Sequence, residues 1–479
     1  MSMCSVVLKN VSFRYMNQKD FALKNVNLHI KENEFVLILG ESGSGKSTLG
    51  YLICGLAPNL IPGKVRGEIL IDGIDVNSLN KRELIQKVNM LLQDPDAQLT
   101  YLTVEDELKF PMENVGVDEE EIKLRTDYLL KKFDLSKLRD TYVFNLSYGQ
   151  KQRTCIASIL ALDPKIIILD EPLSHQDEVA RKRIIDFLKE MKGKRTIIVM
   201  EHRAHALLKL CDRVVVLEKG CVKLNCSVNE ALKVGIANNF NLNDLTKIFP
   251  KRSRFMRSRK AILVVRDLWF TYDGRNYILA GVNFKLNKGD LAFIIGPNGA
   301  GKSTLGMVLS GMLSPHKGTI LVNGINIGSR KVNRGICYVP QNPDLVFLHD
   351  TLYEDVLNSA LKSMDLKRGR KFTRELIKAF NLWHLRNNDP HSLSRGERVR
   401  AAIAIMSALK PRVLIADEPF SGQDKRNIIA IMNCLNYLRE RYGITIIIIT
   451  HEADLAKSIG DKVFLMKNGK LYGEITCTS

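Results

Sequence analysis

The runs GESGSGKST (residues 40–48) and GPNGAGKST (296–304) are the part of this sequence best suited to chemistry. Both fit GxxxxGK[ST], a glycine-rich loop that cradles phosphate when it lies between a strand and a helix. Gly40, Gly43, Gly45 and their counterparts Gly296, Gly299 and Gly301 let backbone N–H groups converge on phosphate oxygens. Ser42, Ser44, Thr48, Asn298, Ala300 and Thr304 complete the two cradles. The helix that follows adds the positive end of its dipole. Lys46 and Lys302 are expected to reach the β- and γ-phosphates of a bound nucleotide, and the hydroxyls of Ser47 and Ser303 to ligate Mg2+.

Two acidic pairs follow at a distance that suits the same chemistry. IIILDE ends at Asp170-Glu171 and VLIADE at Asp417-Glu418, each at the end of an apolar run. In open α/β sheets ligands bind at the carboxyl ends of strands. Asp170 and Asp417 are expected to hold Mg2+ through its water shell. Glu171 and Glu418 are placed to orient and deprotonate an attacking water.

Every one of these motifs occurs twice, in the same order. QDPD (93–96) recurs as QNPD (341–344), LSYGQ (146–150) as LSRGE (393–397), and EHR at His202 as THE at His451. The offset is 256 residues at the lysines and 248 at the first glutamines, and the longer stretch PNLIPGKVRGE, against SPHKGT, accounts for the difference. Insertions of this kind are cheap in loops. The chain therefore reads as two domains, residues 1–250 and 261–479, joined by KRSRFMRSRK (251–260), a basic and exposed linker.

The elements that must position these residues are those of an α/β fold. FVLIL (35–39), KIIIL (165–169), TIIVM (196–200) and RVVVL (213–217) read as strands buried on both faces, with helical stretches between them. That pattern favours a parallel sheet with crossover helices. Between Gln93 and Ser147 the character turns helical. Asp118 caps a helix whose Ile122, Leu129, Leu130 and Phe133 share a face, giving an inserted helical subdomain.

Bulk properties narrow the class. With 45% apolar and 26% charged residues the chain is globular, not disordered or disulfide-scaffolded. No stretch approaches the roughly 20 apolar residues of a membrane span. The first residues lack a signal-peptide pattern, so a cytoplasmic protein is expected, and the nine scattered cysteines read as reduced thiols. The net charge of +19 selects no partner by itself: nucleic acid, an anionic membrane and plain lysine richness all fit it.

The motifs together resemble the ATP-binding cassette (ABC) superfamily over nearly the whole chain. The separating feature is the LSxG(Q/E) signature at Leu146–Gln150 and Leu393–Glu397, where Ser147 and Ser394 are good N-caps. The resemblance implies two tandem P-loop cassettes, each a RecA-like α/β core with a helical subdomain and an antiparallel β subdomain. It implies a head-to-tail intramolecular sandwich, in which Lys46, Ser47, Asp170 and Glu171 meet Ser394 and Gly396, and Lys302, Ser303, Asp417 and Glu418 meet Ser147 and Gly149. It also implies adenine stacking on Tyr15 and Tyr272, Mg2+ and water contacts from Gln93 and Gln341, and γ-phosphate contacts from His202 and His451. Tyr148 and Arg395 depart from the usual first glycine of the signature, and Gln176 and Gln423 from a usual leucine, while Asp177 and Asp424 keep the family pattern.

Within the superfamily, Gln93-Asp-Pro-Asp-Ala-Gln98 and Gln341-Asn-Pro-Asp344 resemble the glutamine loops of ATPases from energy-coupling factor (ECF) transporters, importers of vitamins and metal ions. Val346 replaces the second glutamine in the second copy. GLAPNLIPGKVRGEILIDG is similar to duplicated ATPases of that group. This branch implies integral membrane partners, a coupling subunit and a substrate-binding one, docked near Gln93 and Gln341, and a peripheral place on the inner face of the cell membrane. The competing reading is a tandem-cassette ATPase that acts on ribosomes. It suits the charge, but such factors resemble cassettes joined by a longer helical linker; nucleic acid is thus not the expected partner.

Overall fold

Strands whose residues are buried on both sides form the centre of each half of the chain. The computed structural model describes residues 4–16, 18–174, 176, 178–202, 207–233, 249, 260–327 and 335–474. The chain divides into two units, Met1–Asn241 and Leu242–Ser479. Of the expected linker only Lys260 falls among the described residues; 251–259 lie outside them, as does Asp177.

Among the described residues the first unit has ten strands: β1 (Cys4–Tyr15), β2 (Leu23–Lys31), β3 (Phe35–Leu39), β4 (Gly63–Ile71), β5 (Ile74–Asp75), β6 (Val88–Leu91), β7 (Ile166–Asp170), β8 (Thr196–Glu201), β9 (Arg213–Glu218) and β10 (Cys221–Ser227). Six form a sheet in the order β10-β9-β3-β8-β7-β6. All its pairings are parallel except that of the edge strand β10. The other four form an antiparallel sheet, β2-β1-β4-β5.

The second unit repeats this with β11 (Ala261–Thr271), β12 (Tyr277–Asn287), β13 (Leu291–Ile295), β14 (Lys317–Val322), β15 (Ile325–Asn326), β16 (Ile336–Val339), β17 (Val413–Asp417), β18 (Thr445–Thr450), β19 (Lys462–Lys467) and β20 (Lys470–Glu474). Its sheets run β16-β17-β18-β13-β19-β20 and β12-β11-β14-β15, the same orders shifted by ten strands. The duplication of motifs is thus a duplication of topology.

The period of two along each central strand divides its side chains between two cores. In β3, Phe35, Leu37 and Leu39 join the core under the helical subdomain, with Leu108, Ile122 and Leu130. Val36 and Ile38 turn to the other face, with Leu49 and Leu52 of the helix Lys46–Ile53 and Val6, Leu8 and Ile30 of the antiparallel sheet. Each fully buried aliphatic side chain of this kind contributes about 1.5–3 kcal/mol. The inserted helices are Val104–Val115 and Glu119–Lys132, the second N-capped by Asp118 as the sequence implies. Among the described residues no helix is long and apolar enough to cross a membrane.

The units differ in how they pin the sheet to the helix after the acidic pair. In the second unit Arg439 is buried and ion-paired with Asp461 at 2.5 Å, and Asp461 also accepts from the Leu291 N–H. The first unit has Lys192 and Asp212 there, 2.7 Å apart but well exposed. Losing one partner of a buried pair costs about 3–5 kcal/mol, against about 0–1 for an exposed one. Arg439→Ala is therefore expected to lower the denaturant midpoint of the second unit strongly, and Lys192→Ala to leave the first nearly unchanged. Equal shifts in chemical denaturation would contradict this.

Candidate functional site

Four neighbouring parallel strands of each unit deliver the expected residues to one edge of the sheet. β3 runs into the loop 40–47, β7 ends on Asp170 and Glu171, β8 leads to His202, and β6 leads to Gln93. The second unit does the same from β13, β17, β18 and β16. Parallel pairing, with Leu39 beside Glu201 and Asp170 beside Met200, is what brings segments so distant in sequence together.

The phosphate loops owe their shape to glycine. Gly45 and Gly301 are the N-caps of the following helices, with φ of 102° and 97°. A Cβ on Gly45 would lie 2.7 Å from the Ala22 carbonyl oxygen, and one on Gly301 2.8 Å from that of Ile278. Neither helix start has a side-chain cap, so no side chain competes for its N–H groups. The Lys46 ammonium donates to the Gly40 and Glu41 carbonyls at 2.7 and 3.1 Å, and Lys302 to those of Gly296 and Pro297 at 2.8 and 3.0 Å. These bonds hold the cation across the mouth of its loop.

Burial dominates the aspartates. It pushes the Asp170 carboxyl up to about 6, against a hydrogen bond from Ser47. It also raises Asp417, against bonds from Tyr338 and Ser303. Asp170 Oδ2 and Asp417 Oδ1 are buried with no hydrogen-bond partner. A buried carboxylate oxygen left over beside a serine hydroxyl is the hard donor set a hydrated divalent cation takes.

Each glutamate has a histidine beside it. His202 Nδ1 lies 3.3 Å from Glu171 Oε1, and His451 Nδ1 lies 3.0 Å from Glu418 Oε2. Burial alone would raise Glu171, but the nearby His202 and Lys46 and a hydrogen bond from the Ser174 hydroxyl at 3.1 Å bring it down to about 2. Gln93 Nε2 donates to Glu171 Oε2 at 3.0 Å, and the Thr450 hydroxyl donates to Glu418 Oε2 at 3.2 Å. Both glutamates have left-handed backbones, φ 51° and 46°, an uncommon conformation for glutamate. Gln341 is exposed and makes no such contact among the described residues.

The tyrosines stand against the helices after the loops. Tyr15 Oη shares a hydrogen bond with Thr48 at 2.8 Å, and Tyr272 Oη with Thr304 at 3.3 Å. Ser147 and Ser394 each form a capping box, with Gln150 and Glu397. Gly149 and Gly396 are small for a reason: a Cβ would lie 3.1 Å from Gln176 Oε1 in one and 2.5 Å from Asn427 Oδ1 in the other. Within its own unit, neither signature serine touches the phosphate loop through a side-chain hydrogen bond among the described residues.

Several residues here escaped the motif reading. Asp94 and Asn342 cap a short 3-10 turn that opens on proline, so QDPD and QNPD are capped turns. The last aspartate of each then pairs with the signature helix, Asp96 with Lys151 at 2.5 Å and Asp344 with Arg398 at 2.8 Å. Tyr148, where glycine is usual, donates its hydroxyl to the Gln93 carbonyl at 3.0 Å. Gln98 accepts from the Leu92 N–H and donates to the Met90 carbonyl, fastening the loop to β6. A charge in register on the signature helix was the available signal.

A family model described as "ABC transporter" matches residues 23–174 and again 279–421. A Clostridium perfringens protein, provisionally named an ABC transporter ATP-binding protein, is 32% identical, with 98% of this chain and 90% of that one covered. One from Methanosarcina acetivorans, named likewise, is 31% identical, covering 98% and 84%. The structure of cbiO1 from Clostridium perfringens, described as part of the ABC transporter complex cbiONQ, is 31% identical over 51% of this chain and 98% of that one, with a TM-score of 0.43.

His451 gives the second unit a pH signature. Burial would lower its pKa, but bonds to Glu418 and Glu452 outweigh that and raise it from 6.5 to about 9. A group raised on folding stabilises fully below its unfolded pKa and loses that contribution as pH rises through the folded one. Stability of the second unit is expected to fall between pH 6.5 and about 9, by at most about 3 kcal/mol. His451→Gln is expected to flatten that slope in thermal unfolding across pH; an unchanged slope would place its origin elsewhere.

Proposed function

The chain belongs to the ABC transporter family, whose cassettes are ATPases, and from that premise we propose that it is the ATP-hydrolysing motor of an ECF-type importer for a vitamin or a metal ion. It would work at the inner face of the cell membrane, docked on a coupling subunit and a substrate-binding subunit. The observation that carries the partner reading is apolar surface beside each glutamine loop. In the first unit Leu102, Tyr142 and Phe144 are exposed, and the Val143 N–H to Leu102 carbonyl bond at 2.9 Å brings their two segments together. In the second, Leu345 and Leu348 are exposed in the loop itself, at 73% and 79%. Large exposed apolar side chains gathered at a functional loop mark a docking surface. The QDPDAQ and QNPD loops and the relatives' transporter names support the finer assignment.

The geometry supports a role in hydrolysis for the loop, strand-end and histidine residues of each unit, and for Gln93; the role of Gln341 rests on the family resemblance alone. Backbone N–H groups of Gly43–Lys46 and Gly299–Lys302, with both lysines, would bind the β- and γ-phosphates. Tyr15 and Tyr272 would flank the adenine. Ser47 with Asp170, and Ser303 with Asp417, fit Mg2+, which when bound neutralises charge on the transferring phosphoryl group. Glu171 and Glu418 would accept a proton from the attacking water. His202 and His451 hold these carboxylates and stand ready for the γ-phosphate, and Gln93 and Gln341 would sense it from the docking side. A glutamate held ionised by its neighbours, as Glu171 is, is aligned but weakly basic, so its contribution is orientation as much as proton transfer.

Glu171→Gln with Glu418→Gln is expected to bind ATP as the parent does and to hydrolyse it about 10^2–10^4-fold more slowly. Near-parental turnover in a phosphate-release assay would remove both residues from the base role.

Affinity purification from gently solubilised cells, with mass spectrometry, is expected to recover polytopic membrane proteins. Leu345→Asp with Leu348→Asp is expected to reduce that recovery while nucleotide binding stays intact. Recovery of ribosomal proteins alone would overturn the transport reading.

A further inference from the structure

The two units do not hold their strand-end aspartates alike. Tyr338, in β16, donates its hydroxyl to Asp417 Oδ2 at 2.6 Å, with both side chains buried. The matching residue of β6, read from the parallel registers of β6 with β7 and of β16 with β17, is Met90, which has no proton to donate. Space for the tyrosine ring comes from Gly306, where a Cβ would lie 2.7 Å from Tyr338 Cε2. The first unit carries its tyrosine on the helix after the loop, as Tyr51, where the second has Met307. Among the described residues Tyr51 makes no hydrogen bond to Asp170.

Tyr338 therefore commits one oxygen of Asp417 and leaves Oδ1 as its buried, unpartnered one. A carboxylate free to turn about its last bond must be ordered by whatever binds it. One clamped by a neighbour is ordered in advance, and such supporting partners are worth about 10–100-fold in metal affinity.

We propose that Tyr338 is a positioning residue for Asp417, so that the second unit offers a divalent cation a carboxylate fixed in one orientation, while the first, with Met90, does not. This rests on the reading of Asp417 as a cation-holding residue. The consequence is two nucleotide sites of unequal metal affinity in one chain whose motifs look equally complete.

The test is Mn2+ binding, counted by electron paramagnetic resonance on the full-length chain with a non-hydrolysable ATP analogue. Lys46→Ala isolates the second unit's site and Lys302→Ala the first's. With Lys46→Ala, Tyr338→Phe is expected to weaken Mn2+ binding about 10–100-fold. With Lys302→Ala it is expected to change nothing. Gly306→Ala, which pushes the ring aside but keeps its hydroxyl, is expected to weaken Mn2+ in the first background too. A Tyr338→Phe chain that melts earlier yet binds Mn2+ as tightly as its parent would make Tyr338 a packing residue and overturn the proposal. Asp417→Asn separates the two readings: retained Mn2+ there removes the cation role itself, whereas lost Mn2+ beside an unaffected Tyr338→Phe removes only the positioning.

Discussion

A carboxylate taken out of water at the end of a strand must be met by a cation or a donor, or it gives up its charge. The first unit buries two of them side by side, Asp170 and Glu171; the second buries Asp417 and leaves Glu418 half-buried. The surroundings can be read as answers to that demand. Histidine, glutamine and threonine come to the glutamates. The aspartates are answered less fully, and an oxygen of each remains without a partner. The protein satisfies its glutamates more fully than its aspartates. That division of labour is the physical content of the acidic motif.

Much of this was legible in the sequence because backbone rules wrote it. The glycines at 45 and 301 are dictated by left-handed caps and close carbonyls, and the apolar runs by a sheet covered on both faces. Asp118 and Ser147 announced helix starts through their capping chemistry. What was illegible depends on pairs brought together by tertiary structure. Nothing local marks Tyr338 as a donor to Asp417. Tyr148 read as a departure from a family pattern, and only the fold shows its hydroxyl on the Gln93 carbonyl. Nothing in the sequence marks Leu345 and Leu348 as exposed rather than core residues.

Duplication followed by divergence explains why the two units share topology yet differ in energetics. The strand orders are identical, but a tyrosine and a methionine have exchanged places around the acidic pair, and an exposed lysine pair stands where the other unit buries an arginine. The apolar surface beside the glutamine loops also differs in place, on the helical subdomain in one unit and on the loop in the other. Such changes leave every motif intact while altering stability and surface.

The capped turn of each glutamine loop has a mechanical consequence. Proline stiffens it, an Asp or Asn closes it, and its last carboxylate grips a cation one turn into the signature helix. Turn and helix start are therefore linked in each unit through one ion pair, Asp96 to Lys151 and Asp344 to Arg398. The grip is ionic and partly open to water, so its stiffness falls as salt rises. The surrounding electrolyte can tighten or slacken that link.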